Sequence, residues 1–304
     1  MDDVSKSPPP ICDYEGSDYQ DRFWEQGDRA YEDGAEAAAL RRLLPSGGRF
    51  LLEVGVGAGR NTPRYFGFER LALLDYSLTQ LQQAQRRLGR DPRYLYVAAD
   101  VYRLPFAPGV FDAATMIRTF HHMARPQAAL SCVGEVLARD ASFILEYANK
   151  RNLKAILRYI GRAQRWDPFD RTPLEFAELN FNFHPESVRA WLAEAGFELE
   201  RELAVSLFRI GLLKRLLPAD ALVALDSAFQ PIGKWLLLSP SVFLRARASG
   251  PPDSSQRDVF WRCPVCRSLQ LEQNPEGLHC PNCGRDWPLR DGIHDFRGQV
   301  EEVV

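Results

Sequence analysis

Residues 49–60 read Arg-Phe-Leu-Leu-Glu-Val-Gly-Val-Gly-Ala-Gly-Arg. Phe50, Leu51, Leu52 and Val54 form a short apolar run, the pattern of a strand buried on both faces of a parallel sheet. The run breaks into Gly55, Gly57 and Gly59, which permit a tight turn and a close approach of backbone to ligand. The dinucleotide pattern G-x-G-x-x-G would need a glycine where Arg60 stands. Glu53 sits instead near the carboxyl end of the strand. A carboxylate there suits a ligand with a positive charge better than one with a pyrophosphate.

Two further acids extend this reading. Residues 70–76 (RLALLDY) read as the next buried strand, and Asp75 at its end is placed to accept hydrogen bonds from ribose hydroxyls. Residues 94–99 (YLYVAA) read as a third strand, followed by Asp100, which suits an adenine amine. Acids at the carboxyl ends of three successive strands converge on the crevice where open α/β sheets bind ligands. S-adenosylmethionine, with its α-amino group and sulfonium, matches that charge. With LLEVGVGAG, LLDYS, AADVYRLPF and FDAATMIRTFHHM in this order, the sequence resembles the class I S-adenosylmethionine-dependent methyltransferases over residues 45–200, and on towards 248. The resemblance implies a Rossmann-like α/β fold, a seven-stranded sheet with helices on both faces. The candidate cofactor residues are Glu53, Gly55, Gly57, Gly59, Asp75, Tyr76, Asp100, Val101 and Arg118.

The chain has 304 residues, 45% hydrophobic and 26% charged, with a formal net charge of −2. That is ordinary for a globular protein and provides no global basic field to draw it to nucleic acid. No run of 18 apolar residues argues for a membrane span, and MDDVSKSPPP lacks the apolar core of a secretory signal. Four of the six cysteines fall in two C-x-x-C pairs, which fits metal binding in a reducing cytoplasm better than a disulfide framework.

The expected organisation is a disordered tail (1–10), a methyltransferase domain (11–248) with a lid-like insertion (149–183), a linker (249–258) and a zinc ribbon (259–304). In the N-terminal segment Tyr14 or Tyr19 is a lid candidate, against simple aromatic packing. Helices are expected at 36–44, from Asn61 after the glycine loop, at 78–88 with Ser77 as N-cap and Gly89 as stop, and at 127–137. A fourth strand (111–117) delivers Arg118, Thr119, Phe120, His121 and His122 to the end where substrate-contacting side chains lie in such folds. His121 is the first candidate for a general base and His122 the second, because imidazole titrates near neutrality. Residues 149–164 read as a helix with Lys150, Lys154, Arg158 and Arg162 on one face and Leu153, Ile156, Leu157 and Ile160 on another. Its apolar face is expected to pack on the domain, although such a helix also suits a membrane surface or phosphates.

Cys263, Cys266, Cys280 and Cys283 form two knuckles separated by thirteen residues, with room for a hairpin between them. Four thiolates make a closed tetrahedral Zn2+ site, structural rather than catalytic. The segment Trp287 to Phe296 resembles the ending of Trm112-like zinc ribbons, with His294 in place of the usual proline. That family includes activators of methyltransferases, so a fused copy would stabilise or assist its own catalytic domain. Two functions follow from the resemblance: methylation of a small apolar or aromatic molecule, or of RNA or protein gripped by the ribbon and the basic helix at 150–165. The first is preferred, because the Asn-Pro-Pro-Tyr type of motif carried by amino-methylating enzymes is missing from the fourth strand. A non-catalytic cofactor-binding scaffold is the third reading.

Overall fold

In a computed structural model, which describes residues 10–12, 15–16, 29–89, 91–250 and 259–298, the apolar run at 50–54 becomes β1 (Gly48–Val54). Leu51 packs into one core cluster, while Leu52 and Val54 pack into the other, so the strand is buried on both faces. Continuous rather than alternating hydrophobicity is what a strand between two helical layers requires. A first helix, α1 (Ala30–Leu43), precedes it, six residues earlier than the expected start at Glu36.

The strands β2 (Phe68–Asp75), β3 (Tyr94–Ala98), β4 (Phe111–Met116) and β5 (Leu137–Ala148) continue the parallel sheet, with α2 (Leu78–Leu88) and α3 (Pro126–Val136) as crossovers. Helix α2 has the bounds read from the sequence: Ser77 Oγ accepts from the amide of Gln80, and Gly89 adopts φ 77° at the other end. The helix expected from Asn61 is only a single 3-10 turn, Thr62–Arg64. Pro63 presets the turn, and Tyr65 at its end is non-helical and buried.

After β5 come α4 (Leu153–Ile160), the small hairpin β6 (Leu174–Ala177) and β7 (Asn180–Asn182), α5 (Pro185–Glu194), β8 (Phe197–Val205), α6 (Gly211–Leu216), α7 (Ala219–Phe229) and β9 (Ser241–Ala248). Strand β9 lies antiparallel between β5 and β8, which makes the order β3-β2-β1-β4-β5-β9-β8. The sheet does not stop at β3. The C-terminal strands β10 (Glu272–Asn274), β11 (Gly277–Cys280), β12 (Arg285–Arg290) and β13 (Ile293–Asp295) extend it, with β13 parallel to β3. The residues before the first knuckle also pack on the main core. Trp261 stacks on Phe106 at 5.6 Å, Phe260 lies 5.3 Å from Phe50, and Arg262 pairs with Glu135 at 2.5 Å.

Three expectations need adjustment. Helix α4 is half the expected length, starting at the Asn152 cap, whose side chain accepts from the amide of Ala155. Lys150 is not on a solvated basic face. It is buried, and its Nζ donates to the carbonyls of Asp170 (2.9 Å) and Thr172 (2.7 Å), tying the insertion to its own root. The apolar face of α4 does not pack on the domain: Leu153, Leu157 and Ile160 are exposed. Tyr14, Tyr19 and most of the expected tail and linker lie outside the described residues.

Candidate active site and metal centre

The carboxyl ends of β1, β2, β3 and β4 surround a cleft of about 1100 Å³, including the solvent at its mouth. Of the residues singled out in the sequence, Glu53, Gly55, Gly57, Asp75, Tyr76, Asp100, Val101, Arg118 and His122 line it. Gly59 does not. At φ 75° it turns the chain away from the cleft, and a side chain there would strike Leu88 of α2 at 2.8 Å. His121 also lies outside the lining, its ring centroid 4.0 Å from that of His122.

Glu53 is buried beneath the glycine turn, where its Oε2 accepts from Thr62 Oγ1 at 2.6 Å. Burial pushes its carboxyl up to about 8, against the lowering effect of Thr62 and of the guanidinium of Arg60. Asp75 sets the turn itself. One carboxylate oxygen accepts from the Gly57 amide at 2.8 Å and the other from the Ser77 amide at 3.0 Å. Asp100 Oδ1 accepts from the Tyr102 amide at 2.9 Å, and burial raises its pKa. Gly55 at φ 74° faces Thr119 so closely that a Cβ would lie 2.1 Å from its hydroxyl.

Arg118 has φ 59°, and its amide donates to Glu146 Oε2 at 3.0 Å. Its guanidinium reaches Glu36 on α1, with Nε 2.7 Å from Oε1, while Arg60 donates to the other oxygen of Glu36 at 2.7 Å. Burial opposes ionisation of Glu36, but the guanidiniums of Arg118 and Arg60 outweigh it and hold the carboxyl below its usual range. His122 Nδ1 lies 2.9 Å from the carbonyl of Leu179 in the β6–β7 turn. A carbonyl only accepts, so Nδ1 carries the proton and Nε2 the lone pair. Burial lowers the pKa of His122 despite this bond, and lowers that of His121 much further.

At the far edge of the sheet, the ligand atoms of Cys263, Cys266, Cys280 and Cys283 all lie within 4.8 Å of one another. The Cys263–Cys283 and Cys266–Cys280 sulfur pairs are 3.7 and 3.5 Å apart. Tetrahedral coordination with Zn–S near 2.3 Å puts sulfurs about 3.8 Å apart, so the donor set fits zinc with no open position. The hairpin β10–β11 lies between the knuckles. From β13 the chain runs to Arg297, whose Nη1 donates to the carbonyl of Tyr76 at 3.2 Å and whose guanidinium lies 5.7 Å from the Tyr76 ring centroid. The ribbon therefore touches the lining of the cleft.

Residues 52–145 match the model of a methyltransferase domain family. Residues 52–145 thus form a methyltransferase domain. The chain is 27% identical over 135 residues to the O-methyltransferase cnsE of Penicillium expansum, covering 40% of this chain and 48% of that one. It is also 27% identical over 109 residues to the demethylmenaquinone methyltransferase of Clavibacter sepedonicus, covering 36% and 44%. The chain thus spans less than half the length of these curated relatives. Among solved structures it is similar in fold to a chain of the complex between the Haloferax volcanii Trm112 methyltransferase activator and a protein assigned as a methyltransferase. The TM-score there is 0.54 at 15% identity, over 76% of this chain and 96% of that one. An S-adenosylmethionine-dependent methyltransferase assigned in Listeria monocytogenes gives 0.50 at 16% identity, over 71% and 99%.

Thr119, expected at the end of the fourth strand, lines the cleft as well, and the structure adds residues in or beside it that the sequence did not single out as ligands. Ile11 and Cys12 from the N-terminal segment, Arg60, Asn61, Gln80 and Met123 line it. Arg60 had a signal, since it follows the glycine loop directly. Glu36 had none, because an acid inside an alanine-rich helix reads as ordinary surface until the fold turns it inward.

Proposed function

We propose that this chain is an S-adenosylmethionine-dependent methyltransferase acting on a small apolar or aromatic molecule, with His122 as general base and a structural zinc in the ribbon. The observation that carries the reading is the buried Glu53 carboxyl at the floor of a glycine-walled cleft, flanked by Asp75 and Asp100. A carboxyl whose ionisation is opposed by burial gains most from a cationic ligand, which replaces the solvation it has lost. When bound, S-adenosylmethionine supplies a methyl group already activated by the sulfonium. The chain must then hold an acceptor in line, exclude water and take the acceptor's proton. Nε2 of His122 is the atom to take it, at the rim where Ile117, Met123 and Tyr102 offer apolar and aromatic surface. The O-methyltransferase and demethylmenaquinone methyltransferase relatives support a small-molecule acceptor, with a hydroxyl oxygen in the first case.

The deciding experiment incubates the purified chain with methyl-labelled S-adenosylmethionine and a methyl-deficient extract, then separates solvent-soluble, RNA and protein fractions. Label in the solvent phase is expected, and label in RNA or protein overturns the reading. His122→Asn should lower kcat by about 10²- to 10⁴-fold with cofactor affinity changed far less.

Glu53 sets a pH dependence of its own. Only the ionised carboxylate pairs with the ligand's charge, so the cofactor Kd should rise as pH falls below about 8. The slope should approach about tenfold per pH unit, that of one proton. The folded-state pKa lies above the ordinary 4.5, so the ligand-free fold loses stability as pH rises through that window. Glu53→Gln should therefore flatten the binding profile, weaken binding at pH near 8, and raise the melting temperature there. Isothermal titration and thermal unfolding across pH would measure both.

A further inference from the structure

The edge of the sheet that holds the cleft also carries a group of exposed apolar side chains. Strand β5 ends there and leads into α4, β8 runs parallel to β5 and leads into α6, and β9 begins there, with Ser241 opposite Ala148. On α4, Leu153, Leu157 and Ile160 are 48%, 59% and 70% exposed, while Ala155 is buried. With about 100° per residue, these three residues form one ridge on the side of the helix opposite Ala155, so they point away from the domain. The amide of Leu153 donates to the carbonyl of Leu238 at 2.8 Å, which brings the ridge beside Leu236 and the 83% exposed Trp235. Leu212 and Leu216 of α6 add to the same edge.

Cations border the ridge. Lys154 and Arg158 flank it on α4, and Arg162 and Arg165 follow in the next turn, all exposed. None of the four makes an ion pair among the described residues. Elsewhere, exposed arginines such as Arg171 and Arg247 find carboxylates close by. An apolar ridge with a tryptophan beside it and uncompensated cations at its side is the composition of a helix that lies in the interface of an anionic bilayer. No described helix is long and apolar enough to cross one.

We infer that this face docks the chain onto anionic lipid, with the ridge of α4 and Trp235 in the headgroup region and Lys154, Arg158, Arg162 and Arg165 on lipid phosphates. Docked in this way, the mouth of the cleft faces the membrane surface. The inference concerns the surface alone and does not depend on which molecule is methylated.

Co-sedimentation of the full chain with mixed phosphatidylglycerol–phosphatidylcholine vesicles, and with phosphatidylcholine alone, tests it. Binding is expected to the anionic vesicles, weakened by salt and by about fivefold for each of Lys154→Gln and Arg158→Gln. The double variant Leu157→Glu, Ile160→Glu should abolish it with the melting temperature unchanged, since both side chains are exposed. No association with anionic vesicles at low salt overturns the inference, as does association that these variants leave intact. A lipid-free dimer that Leu157→Glu dissociates would assign the face to a second copy of the chain instead. Binding of an RNA oligonucleotide that needs the cations but not the ridge would assign it to nucleic acid.

Discussion

Stripping the proposed zinc from the C-terminal ribbon is expected to weaken cofactor binding as well as unfold the ribbon, although the thiol cluster and the cleft share no residue. The ribbon contributes few buried apolar side chains, Leu278, Trp287, Ile293 and Phe296 beside the cysteines, and all of them pack into the clusters of the main sheet rather than into a core of its own. With so few buried side chains of its own, the ribbon would draw much of its folding free energy from the proposed zinc, worth on the order of 10 kcal/mol for such sites. Losing it would withdraw β13 from β3, together with the bond from the Phe296 amide to the Ala98 carbonyl. Ala99 and Asp100, immediately beyond β3, line the cleft, and Arg297 would release Tyr76. We expect Cys280→Ser or exhaustive chelation to lower the melting temperature by roughly 10 °C, the effect of a few kcal/mol on a domain of this size. Amide exchange should quicken in β3, and the cofactor Kd should rise at least about tenfold, for the loss of one or two contacts. Metal content, exchange and titration calorimetry follow these separately. A metal-free chain with unchanged β3 protection would show that the ribbon is only an appendage.

The second large effect belongs to Gly55. Alanine there must hold φ near 74° and put its Cβ 2.1 Å from Thr119 Oγ1 and 2.8 Å from Thr119 Cβ. The left-handed conformation costs about 1–2 kcal/mol and the overlap a further 1–3 kcal/mol. Both fall on the junction of β1 and β4 that shapes the cleft, so Gly55→Ala should weaken cofactor binding about a hundredfold. Gly57→Ala is the control. It shares the left-handed backbone at φ 53°, but its Cβ would meet only Gln80 Oε1 at 3.7 Å, so its loss should stay near tenfold. Thr119→Ala added to Gly55→Ala should restore only part of the affinity, because the Thr119 Cβ remains in the way. Equal losses for the two glycines would show that the Thr119 contact does not matter.

What could be read from the chain was what local chemistry decides. The apolar run of β1, the Ser77 cap and the Gly89 stop of α2 each act within a few residues, and these elements fell where expected. The glycine loop and the acids at the strand ends followed from their spacing, and the structure brings Glu53, Asp75 and Asp100 to one cleft. The rest depended on contacts distant in sequence. Which of two adjacent imidazoles faces the cleft is set by one 3-10 turn at Phe120–His122 and by the carbonyl of Leu179, 57 residues on. Lys150 reads as surface until the loop at 170–172 folds over it. The face of α4 read as core because apolar residues usually are, and only tertiary structure shows Leu153, Leu157 and Ile160 exposed among the described residues. The pairing of β13 with β3 joins strands almost 200 residues apart, and no periodicity announces it.

That pairing also bears on dosage. The ribbon is tethered to the domain it docks on, so the union is unimolecular: dilution does not dissociate it, and its occupancy is set by an effective concentration in the millimolar range for a short tether. A separate subunit could be shared among several catalytic chains and rationed by its own abundance. Here each copy brings its own, in a fixed one-to-one ratio, and the edge of β3 is closed to any other strand that would compete for it.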